Sequence, residues 1–87
     1  MPESSELVRL PEGVALHARP AGEFVRAAAT FAAAIEIKAN GRQANGKSIL
    51  EILGLGADGG AELRITASGD DATRAVAELA GLIQRLS

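Results

Sequence analysis

Ile35-Glu36-Ile37-Lys38-Ala39-Asn40-Gly41-Arg42-Gln43-Ala44-Asn45 is the stretch that decides how this chain is built. Its first five residues alternate apolar and charged, the period-two pattern of a strand with one buried face. Asn40-Gly41 is a favoured pair for the tight hairpin turn, which needs positive φ at both central residues. Arg42 to Asn45 then returns as a weaker, polar strand, expected at a sheet edge. An antiparallel hairpin with one face turned to a core follows.

Upstream of the hairpin, Ala21, Phe24, Val25, Ala28, Phe31 and Ala32 recur at helix spacing, with Glu23, Arg26 and Thr30 on the opposite face. This predicts a helix from about Ala18 to Ala33 that carries both phenylalanines. Before it, Leu7 to Leu10 reads as a short strand with Val8 and Leu10 inward and Arg9 outward. Pro11-Glu12-Gly13 then makes a turn. Residues 1–5 read as a loose tail.

Downstream, Ser48 to Leu55 forms a short helix, and Ser48 and Glu51 have the S-x-x-E spacing of a capping box. Ile49, Leu50, Ile52, Leu53 and Leu55 are more apolar residues than one face of so short a helix can bury. Part of them must lie under a neighbouring loop, and the rest must be exposed as a docking surface. Gly54-Leu55-Gly56-Ala57-Asp58-Gly59 matches G-x-G-x-x-G, but it follows a helix and opens a strand. The dinucleotide-binding motif does the reverse, so this is a glycine-rich turn. Glu62 to Ala67 alternates again, with Leu63, Ile65 and Ala67 inward.

Gly69 ends that strand, and Asp70 or Asp71 caps a last helix. Its apolar stripe is Ala72, Ala75, Val76, Leu79, Leu82, Ile83 and Leu86, and its solvated face is Arg74, Glu78, Gln84 and Arg85. The element order is strand, helix, strand, strand, helix, strand, helix. It fits an α+β domain in which one half-buried sheet carries all helices on its other face. Periodicity leaves the strand order open, including a ferredoxin-like arrangement with an added helix.

Composition narrows the function. A chain of 87 residues has room for a single domain (residues 1–87), and one this size buries roughly 60% of its unfolded surface. Hydrophobic residues make up 47% but aromatics only 2%, so the core must be built mostly from Leu, Ile, Val and Ala. Nine Lys and Arg against eleven Asp and Glu give a net charge of −2. Nucleic-acid binding, which calls for a basic stripe with stacking aromatics, is not expected. The absence of cysteine excludes disulfides and thiolate metal sites, and a single histidine argues against zinc. The polar N-terminus does not resemble a signal peptide, and no apolar run approaches the ~20 residues of a bilayer span. The expectation is a soluble, cytoplasmic protein without cofactor or membrane insertion.

Chemistry concentrates in Leu16-His17-Ala18-Arg19-Pro20, which holds the only histidine. Proline is tolerated in a first helical turn, where its missing N–H was unpaired anyway. The residue before it resists α geometry, which places Arg19 beside the helix start. His17 would then sit where the backbone N–H groups of a helix N-terminus gather, an arrangement that accommodates an anion. Attack on phosphorus needs an unprotonated ring nitrogen, and the positive end of a helix dipole disfavours the imidazolium. Arg19 adds a planar multi-donor cation. The pattern points to a histidine that takes up and hands on a phosphoryl group. A small Ser/His hydrolase is the weaker rival, since no G-x-S-x-G elbow exists.

Taken together, Leu16-His17-Ala18-Arg19-Pro20-Ala21, Asn40-Gly41, Lys47-Ser48-Ile49, Leu55-Gly56 and Ala67-Ser68-Gly69-Asp70 resemble HPr, the histidine-containing phosphocarrier of the phosphoenolpyruvate-dependent sugar phosphotransferase system. The resemblance runs from about Val8 to Leu86. It implies an open-faced β-sandwich of four antiparallel strands with three helices on one face. It also implies that Enzyme I phosphorylates His17 at Nδ1 and that a sugar-specific enzyme IIA receives the group. The chain would be a covalent carrier, not a stand-alone catalyst. Arg19 would stabilise the phosphoryl oxygens, with Ala18 and Pro20 at the helix start. Partners would dock on Ile49, Leu50 and Leu53, with Arg26 and Lys47 as rim charges.

Ser48 would correspond to the regulatory serine that a kinase modifies in part of the family. Capping alone accounts for that serine, and Glu51 one turn on would oppose a phosphate there. The alternative is a regulatory paralogue, of a nitrogen-related branch, that docks onto a kinase, permease or transcription regulator. Two departures stand out. Ala15 occupies a position where the family commonly has glycine; if positive φ were needed there, alanine would cost about 1 kcal/mol or more. Leu50 and Leu53 replace methionines, which keeps the patch apolar but stiffens it.

Overall fold

The computed structural model describes residues 2–86. The elements run β1 (Glu3–Arg9), α1 (Ala18–Ala28), β2 (Ala34–Ala39), β3 (Arg42–Asn45), α2 (Ile49–Leu53), β4 (Glu62–Ser68) and α3 (Ala72–Gln84). The strands form one antiparallel sheet in the order β1-β4-β2-β3. This settles the strand order that periodicity left open and gives the expected α+β open-faced β-sandwich.

The hairpin is built as its sequence predicts. Asn40 and Gly41 adopt φ of 55° and 73°, and β3 takes the sheet edge. Ile35, Ile37 and Ala39 are buried together with Leu63, Ile65 and Ala67 of β4, Val8 of β1 and Ala44 of β3. These residues occupy one face of the sheet, where α1 supplies Ala21, Phe24 and Ala28 and α3 supplies Ala72, Ala75, Val76, Leu79, Ala80 and Ile83. Alanines on the inner face of each helix let it approach the sheet closely, which compensates for the shortage of aromatic bulk. The segment Gly54 to Gly59 is a turn, as expected, with Gly56 at φ 63°.

Four expectations are corrected. Residues 3–5 are not a tail: β1 begins at Glu3, where it pairs with Ser68, and the Ser5 hydroxyl lies 3.1 Å from that of Thr66. Val8 is the one fully buried residue of β1. Backbone pairing rather than side-chain burial therefore holds its first half, and a hydrophobic pattern cannot reveal such pairing.

Helix α1 ends at Ala28, so Phe31 lies beyond it, still buried. The chain first tightens through bonds from Thr30 N–H to the Ala27 carbonyl and from Phe31 N–H to that of Ala28. The N–H groups of Ala32 and Ala33 are then taken by the Asp71 carboxylate at 2.8 and 2.9 Å. Those bonds also correct the reading of Asp71. It is the N-cap residue of α3 by position, but its side chain makes no capping bond. Helix α2 is shorter than expected at both ends, spanning Ile49–Leu53 with Ser48 as N-cap.

Candidate functional site

Helix α1 starts one residue after His17, which is its N-cap, with extended backbone at φ −100° and ψ −163°. The first intrahelical bond runs from Ala21 N–H to the His17 carbonyl at 2.9 Å. The turn before it therefore presents its N–H groups outward. Pro20 is buried at the third helical position, a place that also lacks an intrahelical acceptor. The helix can thus begin two residues before the proline, and Arg19 lies inside the helix instead of flanking it. The imidazole of His17 is exposed and makes no capping bond.

The loop that carries His17 is anchored from behind. Leu16 is buried, and its N–H donates to the Ala57 carbonyl at 2.9 Å. Among the described residues Asn40 is the only non-glycine with positive φ, so Ala15 carries no left-handed strain. The left-handed residue of this loop is Gly13, at φ 78°. Alanine at position 15 therefore costs nothing of the kind anticipated.

Arg19 donates to the Glu23 carboxylate at 3.1 Å, one helical turn on; Arg19 is exposed and Glu23 half-buried. The i,i+4 spacing of this pair is legible in the sequence, where helical periodicity alone puts Glu23 on a solvated face. Glu23 and Arg19 share a cavity of ≈ 220 Å³ with Leu82, Arg85 and Leu86 at the end of α3. No sequence signal joins Arg85 to residues more than sixty positions earlier. A larger groove, ≈ 790 Å³, lies elsewhere, over Glu36, Asn45, Thr66 and Ser68, and His17 does not line it.

Helix α2 and the turn after it separate their apolar residues as anticipated: Ile52 and, beyond the helix, Leu55 are buried, while Ile49, Leu50 and Leu53 are 39%, 79% and 37% exposed. This patch lies against the first turns of α1. A Cβ placed on Gly22 would come within 3.8 Å of Ile49 Cδ1 and 3.5 Å of an Arg26 guanidinium nitrogen. Arg26, Ile49 and the His17-bearing helix thus meet. Lys47 differs from a free rim charge, because its Nζ donates to the Phe31 carbonyl at 2.7 Å.

The capping box is only half made. Ser48 Oγ accepts from Glu51 N–H at 3.3 Å, but the Glu51 carboxylate accepts from Asn45 N–H at 2.8 Å. The N–H of Ser48 turns to the Asn45 carbonyl instead.

The architecture defines a class, the α+β open-faced β-sandwich with a histidine at the start of its first helix. The family model described as "PTS HPr component phosphorylation site" matches residues 5–85. The chain belongs to the HPr family, the phosphocarriers of the phosphotransferase system. It is 45% identical over 69 residues to the phosphocarrier protein HPr of Streptomyces coelicolor, covering 78% of this chain and 74% of that one. The crystal structure of an HPr from Bacillus anthracis str. Ames superposes with a TM-score of 0.89 at 36% identity, covering 94% and 98% of the two chains. The Bacillus subtilis catabolite repression protein Crh matches at 0.73 and 34%, covering 87% and 85%. No helix among the described residues is long and apolar enough to cross a membrane.

Proposed function

We propose that His17 accepts a phosphoryl group from phospho-Enzyme I and passes it to a sugar-specific enzyme IIA. The observation that carries this reading is an exposed histidine at the N-cap of α1, two residues before a guanidinium, on a helix that packs beside an exposed apolar patch. In the forward step Nδ1 donates its lone pair to phosphorus. The Nδ1–P bond forms as the bond from phosphorus to the donor breaks, and the donor leaves with that electron pair. Transfer to enzyme IIA repeats the exchange with His17 as the leaving group.

Such chemistry needs positioning and charge stabilisation more than covalent assistance. Arg19 supplies charge-assisted hydrogen bonds to the phosphoryl oxygens, and the first-turn N–H groups supply the rest. A carrier must release its cargo, so a shallow and solvent-open site suits it better than an enclosed one. Ile49, Leu50 and Leu53 give both partners an apolar landing surface next to α1, with Arg26 at its rim.

The test is incubation with phosphoenolpyruvate and Enzyme I, followed by intact-mass measurement. An acid-labile gain of one phosphoryl group is expected, and His17→Ala should show none. An undiminished gain in that variant would overturn the reading. A second reading, a regulatory paralogue acting mainly by docking, draws on the exposed α2 patch and the likeness to Crh. Growth of a deletion strain on transported sugars separates the two.

A further inference from the structure

Among the described residues, the cavity between α1 and the end of α3 is lined by two guanidinium groups and one carboxylate: Arg19, Arg85 and Glu23. Glu23 is bonded to Arg19 at 3.1 Å. Arg85, the C-cap residue of α3, has no side-chain hydrogen bond or ion pair among the described residues, and its guanidinium lies back over Gly81. The negative end of a helix dipole accounts for a cation at that position. It does not account for a guanidinium that borders the same cavity as an occupied Arg–Glu pair. A carboxylate that lines one cavity with two cations can change partners at little cost where solvent screens the charges.

We infer that Arg85 is a positioning residue for Arg19, working through Glu23. Resting on the phosphocarrier reading above, the inference adds how Arg19 is freed. When a phosphoryl group arrives on His17, Arg19 leaves Glu23 for the phosphoryl oxygens and Arg85 takes over the carboxylate. Without Arg85, Glu23 would compete with the phosphoryl group for Arg19. The sequence puts these groups at the beginning and end of the chain, and only the packing of α3 beside α1 brings them together.

The experiment is a double-mutant cycle on the full chain. Phosphorylation by phosphoenolpyruvate and Enzyme I is followed by mass, and the Arg19 Nε–Hε signal is followed by NMR before and after. Arg85→Gln should slow phosphoryl acceptance about twofold to fivefold, the range an exposed ion pair can supply. It should also shrink the shift of the Arg19 signal, and Arg85→Lys should restore most of both. In a Glu23→Gln background Arg85→Gln should have no effect, because the carboxylate through which Arg85 acts is gone. An unchanged rate and Arg19 shift in Arg85→Gln would overturn the inference, as would a defect of equal size in the Glu23→Gln background. Failure of the parent protein to become phosphorylated at all would instead sink the phosphocarrier reading, so the two failures are distinguishable.

Discussion

Asp71 does more for the structure than its place in the sequence suggests. Its carboxylate is held below the ordinary value of 3.8, first by the Ala32 N–H; partial burial opposes this, while the Ala33 N–H, its own N–H and the Arg74 charge add to it. A depressed carboxylate stabilises the fold fully above its unfolded pKa, and that contribution is lost as pH falls through the lower folded value. Asp71→Asn should therefore unfold at a lower temperature than the parent at neutral pH. The gap should close as pH falls below the ordinary carboxylate value of 3.8, which thermal melts across a pH series would show. Arg74 also lies 5.4 Å from the centroid of the Phe31 ring, so one short loop is held by a carboxylate and covered by a cation. At the proposed site, Arg19→Gln should slow phosphoryl acceptance by roughly tenfold or more, as loss of a charge-assisted contact to a reacting oxygen does. Stopped-flow mixing with phospho-Enzyme I would measure it, and an unaltered rate would remove Arg19 from the mechanism.

Among the elements, α2 shows how a short helix serves packing and display at once. Ser48→Ala should cost about 1 kcal/mol through loss of its single capping bond, read from denaturant unfolding. Leu50→Ser should change stability by less than about 0.5 kcal/mol, since Leu50 is 79% exposed, yet weaken binding to a partner that docks there. The boundary between β3 and α2 is tighter: a Cβ on Gly46 would lie 2.5 Å from Ile35 Cγ2. Gly46→Ala should accordingly destabilise by about 1–3 kcal/mol, the usual cost of overpacking. Elements that bury an alternating face, β2 and β4, were legible from residue order, as were the hairpin turn and the stripe of α3. The first half of β1 was not, because its residues are held by ladder bonds to β4 rather than by burial. The end of α1 was not, because Phe31 keeps the helical apolar spacing while Asp71, some forty residues on, claims the N–H groups beyond it. At the candidate site, Leu16 to Pro20 announced itself through residue types, whereas Arg85 depended on a tertiary contact.

In the molecule as a whole, stability rests on aliphatic contacts around very few large side chains. Phe24 is fully buried, and Phe24→Ala should cost about 3–5 kcal/mol. That is a large share of the ~5–15 kcal/mol that holds a domain together, so calorimetry should find the variant barely folded at 37 °C. The turn of the hairpin reaches further than its two residues. Asn40 Nδ2 lies 3.1 and 3.2 Å from the carbonyls of Leu55 and Gly56, and Arg42 donates to that of Gly54 at 2.9 Å. The same loop offers its Ala57 carbonyl to the N–H of Leu16, immediately before the histidine. Amide hydrogen exchange at Leu16 therefore becomes a gauge of the hairpin tip: loosening the turn with Asn40→Ala would let that N–H open to deuterium sooner, although the two residues are far apart in the chain.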